Sequence, residues 1–252
     1  MKDFNKKNKI ISLFSGAGGM DIGFEMAGFQ TAVAVEFDKS CCDTLKKNKS
    51  KLPVIQGDIA EISTEHILEI AKLKPTEPAL VIGGPPCQSF SLAGKRMGMD
   101  DPRGMLVLQF IRVVRESLPV AFVMENVKGM VNWEGGKAID AIMNEIAEPI
   151  IFEGKEYSYK ISKTVLNSAD YGAPQFRERV FIVGNRLSKK FQFPEPTHSS
   201  LDNSIIDLFG NTKKRYNSVW DAIGNLPPAD EPSETAVRIS ETIKDRIVNY
   251  GY

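Results

Sequence analysis

The sequence predicts a doubly wound α/β fold with a mostly parallel, Rossmann-like sheet, and three observations carry that prediction. Short apolar runs rich in Val, Ile and Leu alternate with stretches of helical period, the pattern of strand, crossover helix and next strand. Turn-forming Gly, Pro and Asp close the apolar runs at 54–55 and 79–82. A glycine-rich bend, Ser15-Gly16-Ala17-Gly18-Gly19, falls between the first apolar run and the first helix.

Taken in order, 10–14 reads as a strand, 20–27 as a helix ended by Gly28, and 31–35 as a second strand with period-2, β-branched character. Strands follow at 54–55, 79–82 and 121–124, with helices at 62–73, 105–117 and 138–147. Segments 157–165 and 180–184 form a late strand pair around Tyr171-Gly172-Ala173-Pro174. The polar, Ser- and Asn-rich stretch 195–214 is the one linker-like region, and 218–225 reads as a short helix before Pro227-Pro228. The expected organisation is a catalytic domain over 1–190, followed at 191–252 by a linker and short helical segment.

Composition narrows the function. A chain of 252 residues can bury a full core, and Lys+Arg and Asp+Glu both number 32, so it lacks the cation excess on which non-specific nucleic-acid binding draws. Contact with a polyanion must therefore come from a local patch or a partner. The three cysteines, Cys41, Cys42 and Cys87, form no CxxC pair, and with only His66 and His198 beside them they give neither a disulfide framework nor a zinc site. Cys41 and Cys42, near the start of a helix, read as packing residues. The polar N-terminus and the lack of a long apolar run point to a soluble, cytoplasmic protein in a reducing compartment.

The bend Phe14-Ser15-Gly16-Ala17-Gly18-Gly19 lets backbone approach a ligand closely, but it is not the dinucleotide fingerprint, because Asp21 stands where the third glycine would fall. An NAD-dependent dehydrogenase fails on that residue. Glu36 follows the second strand, where a carboxylate can accept both hydroxyls of a ribose, and Asp58, followed by Ile59 after the third strand, could accept from an adenine amino group. Alone, each reads more readily as a solvated strand-end carboxylate. Together, beside the glycines, they suit an adenosine ligand without a pyrophosphate. Phe14 and Phe37 are candidates to pack on the adenine, and each could equally be core.

Gly83-Gly84-Pro85-Pro86-Cys87 puts a cysteine just past an apolar strand, at the sheet edge where ligands of open α/β sheets bind. Two prolines restrict the backbone there and limit the conformations available to the loop. By position alone Cys87 reads equally as a buried core thiol or as a nucleophile.

Phe14-Ser-Gly-Ala-Gly-Gly19, Gly84-Pro-Pro-Cys-Gln-Ser-Phe-Ser91, Glu125-Asn-Val127 and Gln175-Phe-Arg-Glu-Arg179 occur in the order and approximate spacing of the cytosine-5 DNA methyltransferases, and the chain resembles that family across 10–185. The resemblance implies S-adenosylmethionine as methyl donor, leaving as S-adenosylhomocysteine, no metal, and cytosine in double-stranded DNA as acceptor. It implies that Cys87 attacks cytosine C6, that Glu125 hydrogen-bonds N3 and the amino group, and that Arg179 binds the carbonyl O2 with Arg177 in support. Strand alternation would put both arginines on one face. Ser91, Lys95 and Arg103 match loop positions that contact phosphates or brace a closed state over a flipped base. Pro86 and Leu106 would line the methyl donor's slot, and each could equally be core.

The C-terminal part departs from the pattern. A full-length member continues into a target-recognition region and a segment that completes the cofactor site. Here 218–227 fits the segment preceding that region, and about 25 residues remain after it. The expectation is a catalytic part or α subunit of a split enzyme needing a second polypeptide for DNA recognition, or else a truncated gene product. An RNA (tRNA) cytosine-5 methyltransferase and a non-catalytic module keeping the fold are the rival readings.

Overall fold

A computed structural model of the chain describes residues 8–86, 105–132, 137–187, 189–200 and 213–226. Strand β1 (Lys9–Leu13) lies inside a seven-stranded sheet, with Ile10 to Leu13 all buried, as a strand covered on both faces requires. The chain continues through α1 (Gly19–Met26), β2 (Gln30–Glu36), α2 (Lys39–Asn48), β3 (Val54–Gln56), α3 (Thr64–Ala71), β4 (Leu80–Gly83), α4 (Met105–Ser117) and β5 (Ala121–Val127). After α5 (Gly129–Asn132) and α6 (Lys137–Ala147) come β6 (Ile150–Phe152), β7 (Lys155–Tyr157), β8 (Lys160–Asn167) and β9 (Glu178–Asn185). Two-residue strands β10 (His198–Ser199) and β11 (Lys214–Arg215) and helix α7 (Val219–Ile223) follow.

The sheet order is β3-β2-β1-β4-β5-β9-β8. The pairs from β3 to β5 are parallel, and β9 lies antiparallel between β5 and β8. The sheet is therefore mainly parallel, as expected. Because β1 has β2 on one side and β4 on the other, the chain winds both ways from it, and the crevice at that switch point opens at the carboxyl ends of the strands.

The larger core forms on one face, where Ile11, Val33, Val81, Phe122 and Ile182 meet side chains of α3, α4 and α6. Phe110 packs edge-on against Phe122, and Phe122 against Tyr159, whose hydroxyl donates to the Pro119 carbonyl. On the other face Ile10, Leu80 and Ile82 form a smaller cluster with Phe24 and Phe29. There an apolar groove of about 610 Å³ stays open over Ala121, Val123, Phe181 and Val183.

Helix ends explain where the sequence reading ran long. Ser63 caps α3 by accepting from the His66 amide, and Lys72, at φ 56°, turns left-handed after it, so the helix is shorter than 62–73. The late strand pair exists as β8 and β9, but Tyr157 belongs instead to the β6–β7 hairpin, whose turn is made by Glu153-Gly154. Beyond β9 the chain folds back on the 3₁₀ turn Ser168–Tyr171. The Thr197 amide donates to the Asp170 carbonyl, Tyr216 Oη to Asp170 Oδ1 at 2.6 Å, and Asn217 Nδ2 to the Gly172 carbonyl at 2.7 Å. Helix α7 presents Trp220, 76 % exposed, to solvent. Among the described residues, no helix is long and apolar enough to cross a membrane.

Candidate active site

The glycine-rich turn rises from the carboxyl end of β1. Phe14 leaves the strand at φ 52°, a costly conformation for a residue with a side chain, and Gly16 and Gly18 continue at φ 54° and 86°. The Gly18 amide donates to the Ser15 carbonyl at 2.9 Å, closing the turn into α1. A side chain at Gly18 would strike Leu45, whereas a Cβ added at Gly16 or Gly19 meets none of the described residues, so the turn presents bare backbone to open space.

Glu36, at the end of β2, spans this turn. Its Oε2 accepts from the Gly16 amide at 2.7 Å and its Oε1 from the Asp38 amide at 2.8 Å, fixing the carboxylate through the main chain. Asp38 in turn caps α2 by accepting from the Cys41 amide at 2.9 Å. Asp58 follows β3 at the adjacent strand end, where the Gly57 amide donates to the Glu36 carbonyl and Asp58 Oδ1 accepts from the Ala60 amide. Arg112 of α4 reaches across to hold this loop, donating from Nη2 to the carbonyls of Ile59 at 2.8 Å and Ile62 at 3.0 Å. Ile59, Phe14 and Leu106 all pack in or against the larger core, while Phe37 is 74 % exposed and Pro86 is also exposed. Cys42 is buried, as a packing residue should be, and Cys41 is half-buried.

On the other side of the switch point, β4 and β5 run out side by side. Gly84 brings the β4 exit so close that an added Cβ would sit 3.0 Å from Glu125 Oε2. Glu125 Oε1 receives Arg179 Nε at 2.8 Å, both side chains being 22 % exposed. The pair forms because Arg179 of β9 stands opposite Val127 of β5, diagonal to Glu125. Arg179 Nη1 also donates to the Glu178 carbonyl, and Glu178 itself pairs with Lys128. Arg177 precedes β9 and is exposed, so strand alternation does not apply to it as the sequence reading assumed.

Sequence reasoning passed over Asn126. It is 2 % exposed, donates from Nδ2 to the Pro85 carbonyl at 3.0 Å, and accepts at Oδ1 from the Val127 amide at 2.8 Å. The clasp ties the end of β5 to the stretch leading into Cys87. A signal was available, since period-2 alternation puts Asn126 on the inward face with Phe122 and Met124, where a polar side chain needs a partner. Arg112 carried no comparable signal. Cys87, Ser91, Lys95 and Arg103 lie outside the described residues, as do Pro227 and Pro228.

The strand ends thus group Gly16, Gly18, Gly19, Glu36 and Asp58 on one side of the switch point, and Gly84, Glu125, Asn126 and Arg179 on the other. The first set offers carboxylates and open backbone, which fit a ribose and an amino-purine. The second offers an acceptor and a multidentate donor, which fit the edge of a pyrimidine. Among the described residues, no group of three or more His, Cys, Asp or Glu could hold a metal ion.

Comparison with known proteins gives the family. The family model for C-5 cytosine-specific DNA methylases matches residues 8–251. The chain is 68 % identical over 247 residues to the Type II methyltransferase M.AquIA of Picosynechococcus sp., covering 98 % of this chain and 100 % of that protein. It is 38 % identical over 248 residues to the Type II methyltransferase M.SacI of Streptomyces achromogenes, covering 91 % of this chain but 61 % of the relative. Among solved structures, a protein of an Escherichia coli prophage described as a DNA modification methyltransferase superposes with a TM-score of 0.66 at 29 % identity, over 87 % of this chain and 55 % of that one. The chain thus spans all of one relative and little more than half of the others. It belongs to the C-5 cytosine-specific DNA methylase family and is a DNA cytosine-5 methyltransferase of the Type II restriction-modification class.

Proposed function

We propose that this chain is the catalytic part of the enzyme, methylating C5 of a flipped cytosine through a covalent bond from Cys87 to C6, and that a second polypeptide supplies sequence recognition. The observation that carries the reading is the Glu125–Arg179 pair, clasped by Asn126 to the strand exit before Cys87 and set across the switch point from the glycine turn. Residues 1–190 form the catalytic unit on this reading, and 191–252 lead toward the recognition region.

Glu36 would take the ribose hydroxyls through lone pairs left free by the Gly16 and Asp38 amides, and Asp58 the adenine amino group through Oδ2. Phe14, Phe37, Ile59, Pro86 and Leu106 would line the remainder of the slot. S-adenosylmethionine, when bound, supplies the methyl group. Cytosine C5 is a weak nucleophile until a group adds at C6, so the Cys87 thiolate forms the S–C6 bond and pushes electron density to C5. Glu125, bonded to N3 and the amino group, favours that addition by stabilising protonated N3. Arg179 keeps donors free for O2 while its Nε stays on Glu125. C5 would form its bond to the methyl carbon as that carbon's bond to the sulfonium sulfur breaks, leaving S-adenosylhomocysteine; C5 then loses its proton to a base, and the S–C6 bond breaks to restore the ring and the thiolate. Arg177 would support Arg179, and Ser91, Lys95 and Arg103 would contact the phosphates or brace the closed state.

Support for the second polypeptide comes from the balanced charge of the chain. The apolar groove over β5 and β9 is a further open surface. The enzyme would act in the cytoplasm on double-stranded DNA.

Duplex DNA carrying 5-fluorocytosine tests the chemistry, because fluorine at C5 cannot leave as a proton. A covalent complex is expected with S-adenosylmethionine and is lost in Cys87→Ala; trapping that survives the substitution rejects the Cys87 adduct. Separately, full sequence-specific methylation by the isolated chain rejects the second polypeptide.

A further inference from the structure

Asp21, in the first turn of α1, is 0 % exposed and lies beneath the glycine turn rather than in the site. Its Oδ2 accepts from Ser12 Oγ at 3.0 Å, Ser12 Oγ lies 2.9 Å from Ser15 Oγ, and the Ser15 carbonyl accepts the Gly18 amide that closes the turn. On its other side, Thr31 Oγ1 of β2 lies 3.1 Å from Asp21 Oδ1 and 3.1 Å from Glu25 Oε1. Lys49 Nζ completes the chain with a 2.7 Å bond to Glu25 Oε2. These contacts run from the end of α2 through α1, β2 and β1 back into the backbone of the turn.

Counting protons shows how the chain is arranged. Ser12 has one hydroxyl proton and gives it to Asp21, which leaves its oxygen to accept from Ser15. Thr31 also has one, and it cannot serve two carboxylates. The contacts of Asp21, Thr31, Glu25 and Lys49 are all satisfied when Asp21 is neutral: its own proton goes to Thr31, the Thr31 proton to Glu25, and Lys49 neutralises Glu25. Burial independently pushes the Asp21 carboxyl above its ordinary 3.8, against opposing bonds from Ser12 and Thr31 and the nearby Lys49 charge.

We propose that Asp21, held neutral, is a positioning residue for S-adenosylmethionine: through Ser12 and Ser15 it fixes the Gly16–Gly19 turn against which the donor binds. The inference rests on the reading of that turn as the cofactor site. Since a neutral carboxyl is what the chain requires, Asn can replace it, donating from its amide nitrogen to Thr31 and accepting from Ser12. Leu fills similar volume and can do neither.

The test measures dissociation constants of S-adenosylmethionine and S-adenosylhomocysteine for the unchanged chain, Asp21→Asn, Asp21→Leu and Ser12→Ala, with thermal midpoints recorded beside them. Asp21→Asn should bind within about threefold of the unchanged chain, and Asp21→Leu about tenfold or more weaker, as expected when a supporting side chain lets a ligand-holding element drift. Ser12→Ala, which removes only the middle hydroxyl, should shift affinity the same way by less, and it decides the matter if Asp21→Leu does not fold. In steady state, with the second polypeptide present, the loss should fall on KM for the donor and spare kcat. Lowered midpoints with unchanged affinities in Asp21→Leu and Ser12→Ala would overturn the proposal, as would Asp21→Asn binding no better than Asp21→Leu. An unchanged chain that binds neither compound even with the second polypeptide present would remove the cofactor reading itself, and the proposal with it.

Discussion

On the β1–β3 side of the switch point, the proposed cofactor side, Glu36 gives each carboxylate oxygen to a main-chain amide; on the β4–β9 side, the proposed acceptor side, Glu125 gives one oxygen to the Arg179 side chain. A carboxylate held by backbone keeps its place whether or not a ligand is present. A carboxylate held by a side-chain guanidinium can share its partner with whatever enters, and Arg179, with its remaining donors, can grip both Glu125 and a pyrimidine carbonyl. The first arrangement suits binding, and the second suits a group whose hydrogen bonds strengthen as charge develops on the ring. Removing a residue should therefore cost binding on one side and turnover on the other.

Glu125→Gln should give the largest effect. Loss of a donor or acceptor aimed at developing charge costs about 10² to 10³ in kcat, and the affinity for S-adenosylhomocysteine should stay unchanged. Single-turnover methylation with a parallel binding titration checks both halves, and a shift confined to cofactor affinity would erase the distinction. Asn126→Ala comes next. It leaves the Pro85 carbonyl and the Val127 amide without their side-chain partner, a loss of about 1–3 kcal/mol in stability. It should slow trapping of 5-fluorocytosine DNA more than it weakens donor binding; equal losses in both would mean that the clasp does not belong to the acceptor side.

Glu36→Gln should act on the other side alone. An amide offers one oxygen to two backbone N–H donors and turns its own NH₂ toward the second, so donor affinity should fall about tenfold, or about 1.4 kcal/mol, with trapping at saturating donor intact. Calorimetric titration measures it. Asp21→Asn should be smallest. A carboxyl raised by burial is bound to its proton more tightly in the folded chain, so its contribution to stability is full below 3.8 and lost as pH rises through its higher folded value. Thermal midpoints across a pH series should show Asp21→Asn gaining on the unchanged chain as pH rises, and parallel curves would refute a neutral Asp21.

Much of the frame was legible in the residues. The apolar runs at β1, β2, β4 and β5 read as strands because β-branched residues and terminal turn formers mark them, and α4 matched its expected bounds at both ends. The β6–β7 hairpin was not legible, since a three-residue strand such as Lys155-Glu156-Tyr157 carries no periodicity to read. Glu36, Asp58, Glu125 and Arg179 were visible as charges at strand ends or in a motif, and the structure groups them at one sheet edge. Arg177 was read as lying on a strand and stands before it. Asp21 was noticed for where a glycine was missing, and its buried contacts with Ser12 and Thr31 went unread because they join residues of three separate elements.

By itself the sequence determined the alternation of strands and helices and the residue types at each strand end, because periodicity and turn chemistry are local properties of the chain; the family showed separately, through the resemblance of its ordered motifs. Only the tertiary structure decided that β9 lies antiparallel to β5 in the register that sets Arg179 against Glu125. It also decided that Asn126 reaches back to Pro85 and that Asp21 lies beneath the turn. Alternation states which face of a strand a side chain occupies but not which strand comes to lie beside it. That choice is made when the faces of the whole sheet are buried together, and every pairing that holds this site follows from it.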